Sequence, residues 1–151
     1  ESMDWWEKYI GKPWEGVPNP PYSYTCGELV RAVHKELWNI DIVPIPVDDA
    51  SDLRATVEAM NPEYYGFVKL QEHEAPMDGD VVFMARNAFM DHCGIVVQTA
   101  DGMKILHCAN PDGTILNSVT ELEEQQCYTK IEFYRHPGIN VYLEEHGICR
   151  K

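Results

Sequence analysis

The sequence predicts an α+β fold: N-terminal helices packed on an antiparallel sheet of about five to six strands. Three observations carry this. Apolar residues recur at helical spacing before residue 40, short β-rich runs follow after residue 65, and tight-turn signals such as Asp101-Gly102 separate those runs.

Residues 4–10 read as a short helix with Trp5, Trp6 and Tyr9 on its apolar side, ended by Gly11 and Pro13. Residues 11–21, with Pro13, Pro18, Pro20 and Pro21, form an extended loop. Over residues 25–39, Leu29, Val30, Val33, Leu37 and Trp38 mark the buried face of a helix. Thr25 is its expected N-cap, and Glu28 stands three residues on, as a capping box requires. Cys26 therefore falls in the first turn. Pro44 and Pro46 make residues 41–47 a loop or edge segment. Residues 49–60 read as a second helix, stopped by Asn61-Pro62. Strands are expected over 67–70, 80–85, 94–98, 103–109, 114–119 and 130–135. Asp101-Gly102 and Asp112-Gly113 are hairpin turns, and Met77-Asp78-Gly79-Asp80 leads into a strand. Residues 137–151 are assigned no element and are taken as a C-terminal extension.

The length of 151 residues fits one domain over 1–151 that needs neither disulfide nor metal to fold. The net charge of −13 makes a nucleic-acid partner a poor expectation, because a phosphate backbone demands clustered Lys and Arg. Apolar runs are far shorter than the roughly 20 residues of a membrane span, so no membrane partner is expected either. Met3 is not followed by a basic stretch and an apolar run, so no signal peptide is read; Glu1 and Ser2 before it are expected to be an expression remnant. Reduced thiols are then the simpler expectation for Cys26, Cys93, Cys108, Cys127 and Cys149.

Cys26 is the residue whose position suggests chemistry. At a helix start a thiolate meets the positive end of the helix dipole and unsatisfied N–H groups, which lower its pKa. The same N–H groups can hold a developing oxyanion. A thiol nucleophile requires a base, and His92 and His107 sit in two strands joined by the Asp101-Gly102 turn, where one can act and the other orient it. Zinc is a weaker reading of the pairs His92-Cys93 and His107-Cys108, because neighbouring strand residues point to opposite faces. No metal and no cofactor are expected.

Four segments in order resemble the NlpC-type cysteine peptidases. Tyr24-Thr25-Cys26-Gly27-Glu28-Leu29-Val30 resembles the nucleophile motif, and Asp78-Gly79-Asp80-Val81-Val82-Phe83 resembles the strand after it. Asp91-His92-Cys93-Gly94-Ile95-Val96-Val97 resembles the strand of the catalytic base, and Lys104-Ile105-Leu106-His107-Cys108-Ala109 the strand of the third residue. The resemblance covers residues 11–136. It implies a papain-like fold and hydrolysis of an amide bond in peptidoglycan stem peptides through a Cys thioester. It implies Cys26 as nucleophile, His92 as general base and His107 as the group orienting it. Trp14 stands where the family often places an aromatic residue near the oxyanion, and its indole N–H is expected to serve there.

Thr25 replaces the usual Asp, and Gly27-Glu28 replaces Ser-Gly. Glu28 is expected to raise the Cys26 pKa, although it also favours the helix N-terminus. Amidases of the CHAP type also run Cys then His, but with Asn or Glu third, so His107 favours the NlpC type. The short chain resembles NlpC-type proteins of phage tail tips, which implies delivery to the bacterial wall by a virion or as an effector after synthesis in the cytoplasm. Two alternatives stand beside the hydrolase. One is a non-catalytic structural or binding protein of a phage tail with the same fold; the other is a Cys-dependent deamidase or acyltransferase.

Overall fold

The structure is a computed structural model and describes residues 4–147. Glu1 and Ser2, read above as a remnant, and Cys149 lie outside the described residues. Six strands make one antiparallel sheet: β1 (Val68–Lys69), β2 (Val81–Ala85), β3 (His92–Thr99), β4 (Gly102–Ala109), β5 (Gly113–Asn117) and β6 (Lys130–Arg135). Their spatial order is β1-β6-β2-β3-β4-β5. The predicted α+β class and antiparallel sheet are those of the structure. The two Asp-Gly turns set the register of the middle strands, pairing Thr99 with Gly102 and Ala109 with Gly113.

Every residue of β2 is buried, which accounts for its unbroken apolar run: both faces of the sheet are covered. On one face α1 (Cys26–Trp38) lays Leu29, Val30 and Val33 against Val81, Phe83, Ile95, Val97 and Leu106. On the other, Leu122 of α3 (Val119–Glu124) and Tyr128 close over Val82, Met84, Val96 and Ile105. Burial of these side chains is the main stabilising term, about 2 kcal/mol for each large one. α1 ends at Asn39, in the left-handed conformation at φ 54°. Beyond it α4 (Gly138–Glu145) packs Ile139 and Leu143 on Trp38.

Several elements differ from expectation, each for a local reason. The N-terminal helix is only a 3-10 turn, Glu7–Tyr9. The second helix, α2, is shortened to Leu53–Ala59. Asp49 turns the chain by accepting from Ser51 N at 2.8 Å, and Asp52 then caps the helix by accepting from Ala55 N at 3.1 Å. The fifth strand stops at Asn117 because a helix starts immediately after it. Ser118 accepts from Glu121 N at 3.1 Å and Glu121 accepts from Ser118 N at 2.7 Å, a full capping box that outweighs the β propensity of Val119 and Thr120. The C-terminal extension carries α4.

A buried ion pair ties β6 to the turn before β2. Arg135 donates through Nε and one terminal nitrogen to the two oxygens of Asp80, at 2.7 and 2.6 Å. Among the described residues no helix is long and apolar enough to cross a membrane.

Candidate active site

Thr25 is extended and its hydroxyl accepts from Glu28 N at 3.2 Å, so α1 begins at Cys26 as expected. The box is only half made. The Glu28 carboxylate turns instead to Arg31, 2.8 Å away, and Arg31 Nε donates to Ile42 O at 3.0 Å. Glu28 is thereby paired, and the largest contributions to the Cys26 shift come from Cys93, burial and His92 instead. Gly27 fits its place because a Cβ there would sit 3.0 Å from Ile45 Cδ1.

Alternation along β3 and β4 sends Cys93 and Cys108 to the α1 face, where both join the core with Cys26. His92, His107 and the residues between them in register face the α3 side. His92 nevertheless reaches Cys26, because it is the first residue of β3 and stands at the lip of the sheet beside the start of α1. Among the described residues no group of three His, Cys, Asp or Glu side chains is arranged to hold a metal ion.

The two histidines are hydrogen-bonded, with His92 Nε2 2.8 Å from His107 Nδ1. The chain of bonds continues: His107 Nε2 lies 2.7 Å from Asn117 Oδ1, which also accepts from Gln126 Nε2 at 2.9 Å. A carbonyl oxygen can only accept, so His107 carries its proton on Nε2 and accepts on Nδ1. His92 must then donate from Nε2, which leaves its Nδ1 lone pair for the hydrogen bond with Cys26. The His92 ring also stacks on Tyr128, centroids 5.9 Å apart and planes 12° off parallel.

Cys26 is only 8% exposed, yet its pKa lies well below that of an ordinary thiol. The thiol of Cys93 donating to the Cys26 sulfur contributes most, followed by the charge and hydrogen bond of His92, all against the desolvation of burial. Cys93 shifts the opposite way, held as a thiol by its bond to Cys26 and by burial. His107 is lowered to about 4, first by burial and then by the charge of His92, so it remains neutral. Burial raises Cys108 to about 11; its sulfur lies 3.4 Å from Tyr24 O and it is a structural thiol.

Cys26 and His92 open on a cleft of about 260 Å³ whose walls include Trp14, Ser51, Arg86, Asp91 and Tyr128. Trp14 is held there by pairing of its segment with Tyr24, two residues before the cysteine. Behind the sulfur lies a smaller apolar cavity of about 40 Å³, lined by Val30, Ile45, Phe67, Phe83 and Cys93 among others. The arrangement thus presents a polarised thiol with a tautomerically fixed base on one side and water-accessible space on the other.

Cys26, His92 and His107 are brought together; Trp14 stands on the cleft wall. The sequence reading missed Cys93 as a partner of the nucleophile, and it missed Asn117, Gln126, Arg86 and Tyr128. Asn117 had a usable signal: the Asp112-Gly113 turn sets Ile105 opposite Asn117, which makes Asn117 a diagonal, same-face neighbour of His107.

No family model matches the chain, and no curated protein matches it. Among solved structures, an N-acetylmuramoyl-L-alanine amidase from Bacteroides uniformis is similar over 40% of this chain and 28% of that one, at 16% identity and a TM-score of 0.35. The match spans about a quarter of the amidase, a likeness too slight to carry the properties of that protein across.

Proposed function

We propose that this protein is a thiol hydrolase that cleaves an amide bond in peptidoglycan stem peptides. The observation that carries the reading is the pair of hydrogen bonds from Asn117 to His107 and from His107 to His92, with His92 and a depressed-pKa Cys26 on the wall of one cleft. The choice of wall peptides, and of an NlpC-type enzyme, rests on the ordered sequence motifs.

In this mechanism Nδ1 of His92 holds the Sγ proton, and the Cys26 thiolate adds to the amide carbon. The carbonyl oxygen takes up the negative charge against N–H groups at the start of α1, which have no partner within the helix. The C–N bond breaks as the His92 imidazolium gives its proton to the leaving amine, and a thioester remains. Water then loses a proton to His92 and adds to the thioester. The acid product departs and Cys26 leaves as thiolate. His107 remains neutral throughout and holds the His92 ring in register.

The test is digestion of purified stem peptides and whole muropeptides, read by mass spectrometry, with wild type and Cys26→Ala. The expected result is a Cys26-dependent gain of one water per cleaved bond. Cleavage that persists in Cys26→Ala, or no cleavage by a wild type whose Cys26 alkylates no faster than Cys127, overturns the reading in favour of a non-catalytic protein.

A further inference from the structure

The thiol mechanism leaves unused the one guanidinium on the cleft wall. Arg86 follows β2 and is the sole Lys or Arg among the described residues lining the cleft, on a chain of net charge −13. It is fixed from two sides. Its Nε donates to Gln126 O at 2.7 Å, and its guanidinium carbon sits 4.0 Å from the centroid of the Tyr128 ring. Tyr128 is the ring that stacks on His92, so one aromatic plane positions both the base and the cation. Gln126, which holds Nε through its carbonyl, also donates from its side chain to Asn117.

The guanidinium is held, and its charge is only loosely matched by a long ion pair. Its closest acid is Asp91, whose Oδ2 is 4.0 Å from a terminal nitrogen, beyond hydrogen-bond reach. The other Asp91 oxygen is buried with no hydrogen-bond partner. With Nε engaged, the terminal edge of the guanidinium remains, a planar two-donor fork that matches a carboxylate. Tying Arg86 down in advance removes much of the entropy that a free side chain would lose on binding.

We propose that Arg86 is a specificity-determining residue that binds a free carboxylate of the substrate beside the scissile bond, so that the protein selects acidic peptides over their amidated forms. This rests on the wall-peptide reading above and deepens it. It also gives a role to the one Lys or Arg among the described residues lining the cleft, on a chain whose net charge of −13 otherwise disfavours an anionic substrate.

The experiment is calorimetric titration of the Cys26→Ala protein with a stem peptide carrying free α-carboxylates and with the same peptide amidated at them. The expected result is binding at least about tenfold weaker for the amide. Arg86→Met should weaken the acid form by a similar factor and leave the amide form unchanged, and Arg86→Lys should restore part of the loss. Higher salt should narrow the difference between the peptides. With otherwise wild-type protein the same substitution should raise KM far more than it lowers kcat. Equal affinity for the two peptides, equal weakening of both by Arg86→Met, or no binding of either overturns the inference. The two readings fail separately. Cleavage that depends on Cys26 but ignores amidation removes only the role of Arg86; an acid-selective protein that never cleaves removes only the hydrolase.

Discussion

His92 Nε2 and His107 Nδ1 lie 2.8 Å apart, and the proton between them belongs to His92. The assignment follows from Asn117, three links from the sulfur, whose oxygen forces the tautomer of His107 and through it that of His92. A residue with no reactive group therefore decides which nitrogen faces Cys26.

Asn117→Ala should lower kcat by roughly tenfold to a hundredfold with KM little changed, because it frees His107 to flip tautomer without touching the cleft wall. Steady-state cleavage of a stem peptide measures this. An unchanged kcat would mean that the Gln126–Asn117–His107 chain does not hold the base.

Cys26 should alkylate rapidly at a pH well below the roughly 8.5 of a free thiol, while Cys108 reacts slowly at neutral pH. Removing the thiol that donates to it, by Cys93→Ala, should move the Cys26 profile to higher pH, because the largest contribution to its lowered pKa is lost. Peptide mass spectrometry after timed iodoacetamide treatment resolves the cysteines individually. A profile that stays in place in Cys93→Ala would leave His92 as the source of the depression.

Acid should destabilise the fold through His34. Its Nδ1 donates to Val30 O at 2.9 Å, and its ring is enclosed by Trp38, Phe67 and His136. Burial foremost lowers its pKa from 6.5 to about 4. Above about pH 6.5 neither folded nor unfolded chain is protonated there. Below it the unfolded chain takes a proton that the folded one refuses, so stability falls until about pH 4. The loss attributable to this residue is about 3 kcal/mol. Thermal unfolding from pH 7 to pH 4 should show a steep decline in Tm, made shallower by His34→Phe. His107, lowered in the same sense, contributes to the slope that remains.

Arg135→Met should cost about 3–5 kcal/mol, because Asp80 is fully buried and would lose its bidentate partner. Asp80→Asn with Arg135→Met should recover part of that loss, since an amide leaves no bare charge inside. Chemical denaturation of the wild type and the two variants checks both statements.

The parts of this molecule legible in the sequence were those set by local rules. Thr25 announces a cap, so Cys26 could be placed at a helix start; Asp101-Gly102 announces a hairpin, so His92 and His107 could be put side by side. The remainder depends on register and on long-range packing. That Cys93 touches Cys26 requires knowing which face of β3 meets α1, and one residue of slip would reverse it. Tyr128 follows α3, a helix masked by the β-branched Val119 and Thr120, although Ser118 and Glu121 carried its capping signature. Arg86 could be found only once the path of Tyr128 over the sheet was known.

His92, His107, Asn117 and Gln126 all belong to the consecutive stretch of hairpins and helix from β3 through the turn after α3, whereas the sulfur comes from a helix far earlier in the chain. The proton-handling half of the site thus has low contact order and can assemble on its own turns, while the nucleophilic half depends on docking across a long loop. Lesions in the two halves should look different. A weakened α1 interface displaces the sulfur from a base that is still correctly wired, and a weakened hairpin leaves a well-seated sulfur with a wandering base.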